Sequence, residues 1–377
     1  MSCASDPYGG SMSVLCGSFL RLKLLWSFMQ SVSEEGLRKF GKNLACFQTM
    51  GYDRDICPEM DRIEWRKHMD FLRLLEGIRN PVLDAFWSAV THFGEETLFL
   101  VIGMVIYWCV SKQAGRYLIG VGIVATIFNQ FLKLLFRIPR PWVLDEQFTI
   151  VESARAGAGG YSFPSGHTQI AVGVYGGIAL WTKKRWLRAV MIALAVLVPI
   201  SRMYLGVHTP LDTGVAAATS VLILLALYPP MAGKKANMKS TRAVYLIMLI
   251  LALAYCAYVS FCKFPEDIDM DNLQEGTKNA WLLLGAAAGM WVSLELDERR
   301  IHFDTHAAPW VQVVKTVLGL ALVMGVRAGL KVVLQPIFHG APAADAVRYF
   351  LVVLTGAAIW PMTFRSLARL GTKEQKA

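Results

Sequence analysis

Long apolar stretches restrict this chain to membrane architectures. The hydrocarbon core of a bilayer is about 30 Å thick, which a helix of roughly 20 apolar residues crosses. Composition agrees, since 55% of the 377 residues are hydrophobic and only 18% are charged. We therefore predict an all-α, polytopic membrane helix bundle. Ten predicted helices cover residues 77–93, 96–110, 115–136, 167–181, 186–204, 210–229, 243–262, 279–296, 311–335 and 346–364.

The beginning of the chain is different in character. The first apolar stretch contains Arg79, Asp84 and His92 and the second is short, so either could be a tilted or interfacial helix. Residues 1–68 are more polar and carry no motif. Two interpretations stay open for them, a disordered extension or a segment ahead of a natural start at Met69. We divide the rest into a core at 69–230 and a C-terminal transmembrane extension at 231–377.

Basic residues are concentrated in the loops on one side of the predicted bundle. Loops rich in Lys and Arg remain in the cytoplasm, so this side is predicted to be cytoplasmic. The opposite side holds an acidic loop at residues 266–275 and three polar clusters. The net charge of +10 is explained by this topology and by attraction to anionic lipids, and we infer no nucleic-acid binding from it. The basic side includes Lys112, Arg116, Lys183, Lys184, Arg185, Lys234, Lys235, Lys239, Arg242 and Arg365.

The first polar cluster lies at the end of the third apolar stretch. Lys133 falls on its last turns, and Arg140 follows between Pro139 and Pro141. The prolines favour extended backbone before them, which would carry the Arg140 guanidinium away from the helix axis. Both cations could serve a site, or both could reach out to the lipid interface. For Arg137 we favour the interfacial role.

The second cluster is the run Phe163 to Thr168. Pro164 is a good residue for entering a helix and Ser165 is a good cap. The free amides of Gly166 and His167 would then lie at the positive end of the helix dipole, where an anion binds. The glycine-rich stretch at 156–160 just before it could cover a site or simply connect two helices.

The third cluster follows the fifth apolar stretch. Arg202 closes that stretch, and Thr209 with Pro210 is typical of the cap and first residue of the next helix. His208 would then stand just before the helix and Asp212 in its first turn. A carboxylate there can reach back to the imidazole and fix its tautomer, as in nucleophilic triads.

Other polar residues give weaker signals. The seven cysteines show no metal or redox spacing, and His302 with His306 is best interpreted as part of a solvated loop. Arg327 and Lys331, four residues apart in the ninth stretch, could bind a second headgroup charge, although pairing within the bundle is the favoured interpretation. Gly325 and Gly329 form a step of small residues that would permit close helix packing.

Together the three clusters resemble the signature of the type 2 phosphatidic acid phosphatase (PAP2) superfamily. The resemblance rests on Lys133 to Pro141, Pro164 to His167 and Ser201 to Asp212, and it covers residues 77–229. It implies a six-helix phosphatase core, with about four further transmembrane helices after it.

The resemblance also implies roles for these residues. Lys133, Arg140 and Arg202 would hold the phosphate oxygens, helped by Ser165 and the Gly166 amide. The catalytic residues would be His208 as nucleophile, Asp212 as its partner and His167 as general acid and base. No metal and no cofactor is implied.

The implied function is hydrolysis of a lipid phosphate, a monoester or a diphosphate, among membrane lipids and at the extracytoplasmic face. A bacterial cytoplasmic membrane is suggested by the resemblance alone. The alternatives are a lipid phosphotransferase that uses the same phosphohistidine, and a non-catalytic lipid-binding or transport protein. A soluble haloperoxidase of the same superfamily is disfavoured by the ten apolar stretches. Neither the lipid nor the oligomeric state follows from the sequence.

Overall fold

The computed structural model describes residues 60–266 and 268–373, and within them the chain is helical without strands. The residues from 61 onward form one compact unit. The interpretations of residues 1–59 lie outside the described part. Thirteen α-helices are labelled here in chain order: α1 Met60–Gly77, α2 Pro81–Thr91, α3 Glu96–Val105, α4 Lys112–Phe136, α5 Pro141–Leu144, α6 Gly166–Trp181, α7 Arg185–Tyr204, α8 Pro210–Met231, α9 Met238–Phe261, α10 Met270–Leu296, α11 Pro309–Ile337, α12 Ala343–Leu354 and α13 Phe364–Lys373.

All ten predicted helices are present, but they do not each cross a membrane separately. Seven spans in the described residues are long and apolar enough, and a bent pair makes an eighth. The pair joins the first two predicted helices, α2 and α3, across a break bent by 51°. Helix α6 has 16 residues, which gives about 24 Å of helix, less than the hydrocarbon thickness. The predicted helical membrane bundle is therefore confirmed, with the first two helices forming a bent pair and α6 shorter than the hydrocarbon thickness.

Two features at the N-terminal side of the bundle were not predicted. Helix α1 runs through residue 69, so the boundary placed there falls inside a helix. Asn80 caps α2 with its side chain, which accepts hydrogen bonds from the amides of Val82 and Leu83, and Pro81 occupies the first helical position. The chain therefore turns between α1 and α2 and continues as a separate helix.

Helix α4 lies at the centre of the core. Tyr117, Leu118 and Val121 are almost completely buried on it, and it contacts α3, α6, α8, α9 and α10. Its last turn carries Lys133, which is buried as well. A buried central helix thus holds one predicted site residue at a fixed position.

The C-terminal extension packs directly on this core. Helix α10 lies against α4, α9 and α12, and a cluster of buried charges joins its far end to the start of α4. Asp297, which is fully buried, is 2.5 Å from Arg116 Nη2 and 2.7 Å from Lys112 Nζ. Removing one member of such a buried group leaves uncompensated charge, so these contacts link the extension firmly to the core.

Helix α11 is the most exposed part of the described extension. Val311, Lys315 and Gly319 are its buried residues. A Cβ on Gly325 or Gly329 would meet no atom within 4 Å, so the predicted close packing at this step is absent within the described chain. Its apolar surface is available to lipid.

Candidate active site

The three polar clusters meet at one end of the bundle, where α4, α6, α7 and α8 begin or end. Helix α4 ends at Phe136 because Arg137 takes a left-handed conformation, with φ of 53°. Arg140 is extended, with φ of −72° and ψ of 154°, between the two prolines. The predicted turn away from the helix axis is confirmed, and it carries the guanidinium into the site.

Arg140 holds the glycine-rich loop by its carbonyl groups. Its Nη2 donates to the Gly159 oxygen at 2.6 Å, and its Nε donates to the Gly160 oxygen at 3.1 Å. Lys133 Nζ donates to the next carbonyl, that of Tyr161, at 2.6 Å. These two cations therefore fix the loop over the site, which makes it more than a connector.

Arg140 also contacts the histidine of the third cluster. Its Nη1 lies 2.9 Å from His208 Nε2 and 3.0 Å from the Val207 oxygen. A guanidinium can only donate, so Nε2 must be the acceptor and the neutral ring carries its proton on Nδ1. The Nε2 lone pair consequently faces the cation.

The other side of the His208 ring contacts a carboxylate and a hydroxyl. Asp212 Oδ2 is 3.5 Å from Nδ1, and Ser162 Oγ is also 3.5 Å away. Ser162 Oγ donates to Asp212 Oδ2 at 2.7 Å, and the Thr209 amide donates to the same oxygen at 2.8 Å. The Thr209 cap predicted from the sequence is present as a capping box, so the start of α8 orients the carboxylate.

The environment of His208 keeps its ring neutral. The side chain is 1% exposed, and burial lowers its pKa well below the usual value; nearby Arg140, Arg202 and Lys133 lower it further. A neutral imidazole has a free lone pair, which is the state that a nucleophile requires.

Arg202 is the cation with the most unused hydrogen-bonding capacity. It is 1% exposed, and its Nη1 donates to Thr91 Oγ1 on α2 at 2.9 Å. Its Nε and Nη2 are buried and have no partner in the described part of the chain. Buried donors without partners are costly, and an anion would satisfy both.

The beginning of α6 completes the arrangement. Ser165 caps the helix, because its Oγ accepts from the Thr168 amide at 3.4 Å. The Ser165 amide donates to the backbone carbonyl of Asp212 at 3.1 Å, which ties the start of α6 to the start of α8. The predicted cap is confirmed. Gly166 and His167, the first helical residues, both line a cavity.

This cavity has a volume of about 210 Å³ and contains several of the predicted residues. Lys133, Arg140, Gly166, His167 and His208 line it, whereas Ser165, Arg202 and Asp212 are not among its lining residues. The roles assigned to all eight residues remain predictions. Gly157 and Gly159 of the glycine-rich stretch line it too, and lining residues that sequence reasoning missed include Glu96, Asn129, Gln169 and Glu275.

One of the missed residues had a signal in the sequence. Asn129 precedes Lys133 by one helical turn, so both face the same side of α4. Ser162 and Thr91 carried no signal, because their positions depend on how the loop and α2 pack. Glu275 was predicted on the same side as the three clusters, within the acidic loop, but nothing in the local sequence placed it in the cavity.

The weaker candidates from the sequence lie elsewhere. The Arg327 guanidinium is 5.9 Å from the Tyr349 ring, which agrees with the favoured interpretation of pairing within the bundle. His306 Nδ1 pairs with Asp304 at 2.8 Å in an exposed loop. Cys256 is buried in the apolar core, Cys109 is partly buried and Cys262 is exposed.

The fold and the site define a helical membrane protein with a cavity lined by cations, and sequence comparison identifies its family. The chain belongs to the PAP2 superfamily, whose profile matches residues 114–236. A second profile, PAP2 superfamily phosphatase, transmembrane extension, matches residues 281–373. The predicted family is therefore confirmed, and the second match coincides with the helices that go beyond the core.

The relatives include several named lipid phosphatases. Phosphatidylglycerophosphatase B of Bacillus subtilis is 31% identical over 148 residues, covering 36% of this chain and 68% of that protein. Sphingosine-1-phosphate phosphatase 1 of Rattus norvegicus is 24% identical, covering 68% of this chain and 62% of that protein. The chain spans 42 to 62% of the sphingosine-1-phosphate phosphatases that it matches.

A solved structure, that of Aquifex aeolicus LpxE, is also similar. It is 25% identical, with a TM-score of 0.38, and the match covers 42% of this chain and 93% of that one.

Proposed function

We propose that this protein is a lipid phosphate phosphatase that works through a phosphohistidine on His208. The observation that carries the proposal is the 2.9 Å contact of Arg140 Nη1 with His208 Nε2, opposite the Asp212 side of the ring. The lone pair of His208 Nε2 points towards the Arg140 guanidinium, to which an incoming phosphate oxygen would also bind. The named phosphatases among the relatives support the same reaction class.

Phosphate binding would use the cations already described. A phosphate oxygen would accept the hydrogen bond from Arg140 Nη1 in place of His208 Nε2. The Nε2 lone pair would then be free to attack phosphorus. Other oxygens would accept from the unpartnered Nε and Nη2 of Arg202, from Lys133 and from the Gly166 amide. Positive charge around the equatorial oxygens stabilises the transition state of phosphoryl transfer.

The reaction then proceeds in two displacements. His208 Nε2 forms a bond to phosphorus while the bond from phosphorus to the lipid oxygen breaks, and His167 gives a proton to the departing oxygen. Asp212 and Ser162 stabilise the charge that develops on the His208 ring. Water next attacks phosphorus, His167 accepts its proton, and the phosphorus to nitrogen bond breaks to release inorganic phosphate.

The extracytoplasmic location is supported by the positions of the basic loops. Helix α4 begins at Lys112 in the basic cluster and reaches Lys133 about 31 Å later, at 1.5 Å per residue. The site and the basic loops are therefore at opposite ends of the bundle. Loops rich in Lys and Arg stay in the cytoplasm, so the cavity would open on the other side of a bacterial cytoplasmic membrane.

Phosphate release from a panel of lipid phosphates by the purified protein tests the proposal. Wild-type protein should release phosphate in EDTA, His208→Ala should release none, and acid-labile phosphate should be trapped on wild-type protein alone. Full activity of His208→Ala, or loss of activity in EDTA, would refute the mechanism. Transfer of the phosphate to a second lipid would indicate the phosphotransferase, and binding without turnover would indicate the lipid-binding protein.

A substrate with an activated leaving group tests His167 separately. An aryl phosphate leaves without needing a proton, so His167→Ala should still form the phosphohistidine from it and then release phosphate slowly. With an alkyl phosphate the same variant should form very little phosphohistidine. Equal loss with both substrates would contradict the general-acid role.

A further inference from the structure

Glu275 brings a negative charge into the cavity from the C-terminal extension. It stands in the second turn of α10, and its carboxylate oxygens are 3.2 and 3.3 Å from the position that a Cβ on Gly159 would occupy. It is exposed and, among the described residues, makes no hydrogen bond or ion pair, although its charge interacts with those of Lys133 and Arg140. The carboxylate is therefore free to receive a ligand group.

Close packing of two helices fixes this position. A Cβ on Gly276 would lie 2.6 Å from Leu134 Cδ1, so only glycine allows α10 to approach α4 this closely. Glu275 directly precedes Gly276 in the chain, and Lys133 directly precedes Leu134. Consequently Lys133 Nζ and Glu275 Oε2 approach Gly160 together, 3.7 and 3.6 Å from the position of a Cβ there.

A carboxylate at this position disfavours substrates that carry only negative charge. Lys133 and Arg140 are engaged with the loop carbonyls and make no ion pair with Glu275. A phosphate held by these cations would be repelled by the free carboxylate unless the substrate also carried a positive group close to the phosphate. Glu96 also lines this cavity.

Two buried amides line the same cavity and are only partly satisfied. Asn129 Nδ2 donates to the Pro164 oxygen at 3.2 Å and to Gln169 Oε1 at 2.7 Å, which fixes the orientation of both side chains. Asn129 Oδ1 and Gln169 Nε2 have no partner in the described residues, although the side chains are 2% and 1% exposed. One free acceptor and one free donor match a hydroxyl group, which both donates and accepts.

We propose that this cavity selects a long-chain amino-alcohol phosphate, and that Glu275 binds its ammonium group. The proposal rests on the phosphatase function above and specifies the substrate of that same site. The phosphate would lie on the cations, the ammonium group on Glu275, and the hydroxyl between Asn129 and Gln169. Diacylglycerol phosphate and polyprenyl diphosphate have no cationic group, so Glu275 would disfavour them.

A matched pair of substrates tests the charge. Sphingosine 1-phosphate carries the ammonium group, and its N-acetyl derivative keeps the chain, hydroxyl and phosphate but loses the charge. Wild-type kcat/KM should be at least about tenfold higher for the amine. Glu275→Gln should remove this preference, lowering kcat/KM for the amine about tenfold and changing that for the N-acetyl lipid less than about twofold.

Glu266→Gln is the control variant, because it removes an exposed carboxylate that does not line the cavity. It should retain the wild-type preference. Equal loss on both substrates in Glu275→Gln would indicate a structural role and overturn the proposal, as would a wild-type protein without preference. A 3-deoxy analogue should lose kcat/KM in wild-type protein, and an unchanged value would overturn the hydroxyl subsite.

Failure of the phosphatase proposal can be recognised separately. If wild-type protein hydrolysed no lipid phosphate, the proposed function would be refuted. Equilibrium binding of the same two lipids to wild-type protein and to Glu275→Gln would then decide amine selectivity without turnover. Equal affinities in wild-type protein would overturn the selectivity proposal.

Discussion

Replacing Ser162 by alanine tests the hydrogen bonds that orient Asp212 towards His208, with little change in shape. Asp212 Oδ2 accepts two short hydrogen bonds, from Ser162 Oγ at 2.7 Å and from the Thr209 amide at 2.8 Å, and the variant removes the first. A hydrogen bond to a charged group contributes about 1.5 to 3 kcal/mol. Part of this is lost from folding stability, and part is lost from the orientation of Asp212 towards His208.

If about half of that energy acts in the transition state, kcat falls about three- to tenfold, since about 1.4 kcal/mol corresponds to a factor of ten. Phosphate release at saturating lipid measures kcat, and the quenched phosphohistidine measures the first displacement. Ser293→Ala is the control, because Ser293 is equally buried but its hydroxyl has no partner among the described residues. It should leave kcat unchanged.

A double-mutant cycle shows whether Ser162 acts through the carboxylate. In a chain that already carries Asp212→Asn, Ser162→Ala should lower kcat by less than about twofold, because contacting residues in one network are not additive. If Ser162→Ala lowered kcat as much in the Asp212→Asn background as in wild-type protein, the reasoning would be refuted. A wild-type kcat in Ser162→Ala alone would refute it as well.

Further predictions concern the cations, the loop and the pH profile. Arg202→Lys should lower kcat/KM about 10²- to 10³-fold and weaken vanadate inhibition, because lysine lacks the planar fork. Gly160→Ala should lower the Tm, since its φ of 67° costs other residues about 1 to 2 kcal/mol, whereas Gly214→Ala, in open space, should not. As the pH is lowered, kcat/KM should begin to fall only below about pH 6.5, because burial lowers the pKa of His208 and keeps its ring neutral above that pH. A fall that begins above about pH 6.5 would contradict this.

The predictable parts of the site depend on local backbone rules. The prolines around Arg140 force extended geometry wherever the chain goes next, and Thr209 before Pro210 starts a helix with Asp212 in its first turn. The unpredicted parts depend on packing between distant segments. Ser162 meets Asp212 across 50 residues, and Arg202 meets Thr91 across 111.

The bend between the first two predicted helices was not foreseen for a related reason. Hydropathy measures whether a segment is apolar, but it does not show whether two apolar helices continue one another. Residues Pro81–Gly94 and Glu96–Val110 meet at an angle of 51° across the extended residue Glu95, so the first two apolar stretches form a bent pair. The site gains from this bend, because Thr91, just before it, accepts the hydrogen bond from Arg202.

The position of Glu275 argues that the extension is part of the active site as well as its support. The core and the extension are held together at both ends of their contact, by Asp297 with Arg116 at one end and by Gly276 against Leu134 at the other. A rigid contact of this kind fixes the side chain next to it, in the same way that the end of α4 fixes Lys133. In the proposed mechanism, six core helices would therefore supply the phosphate chemistry, while the helix that packs on them would supply the charge that distinguishes one lipid phosphate from another.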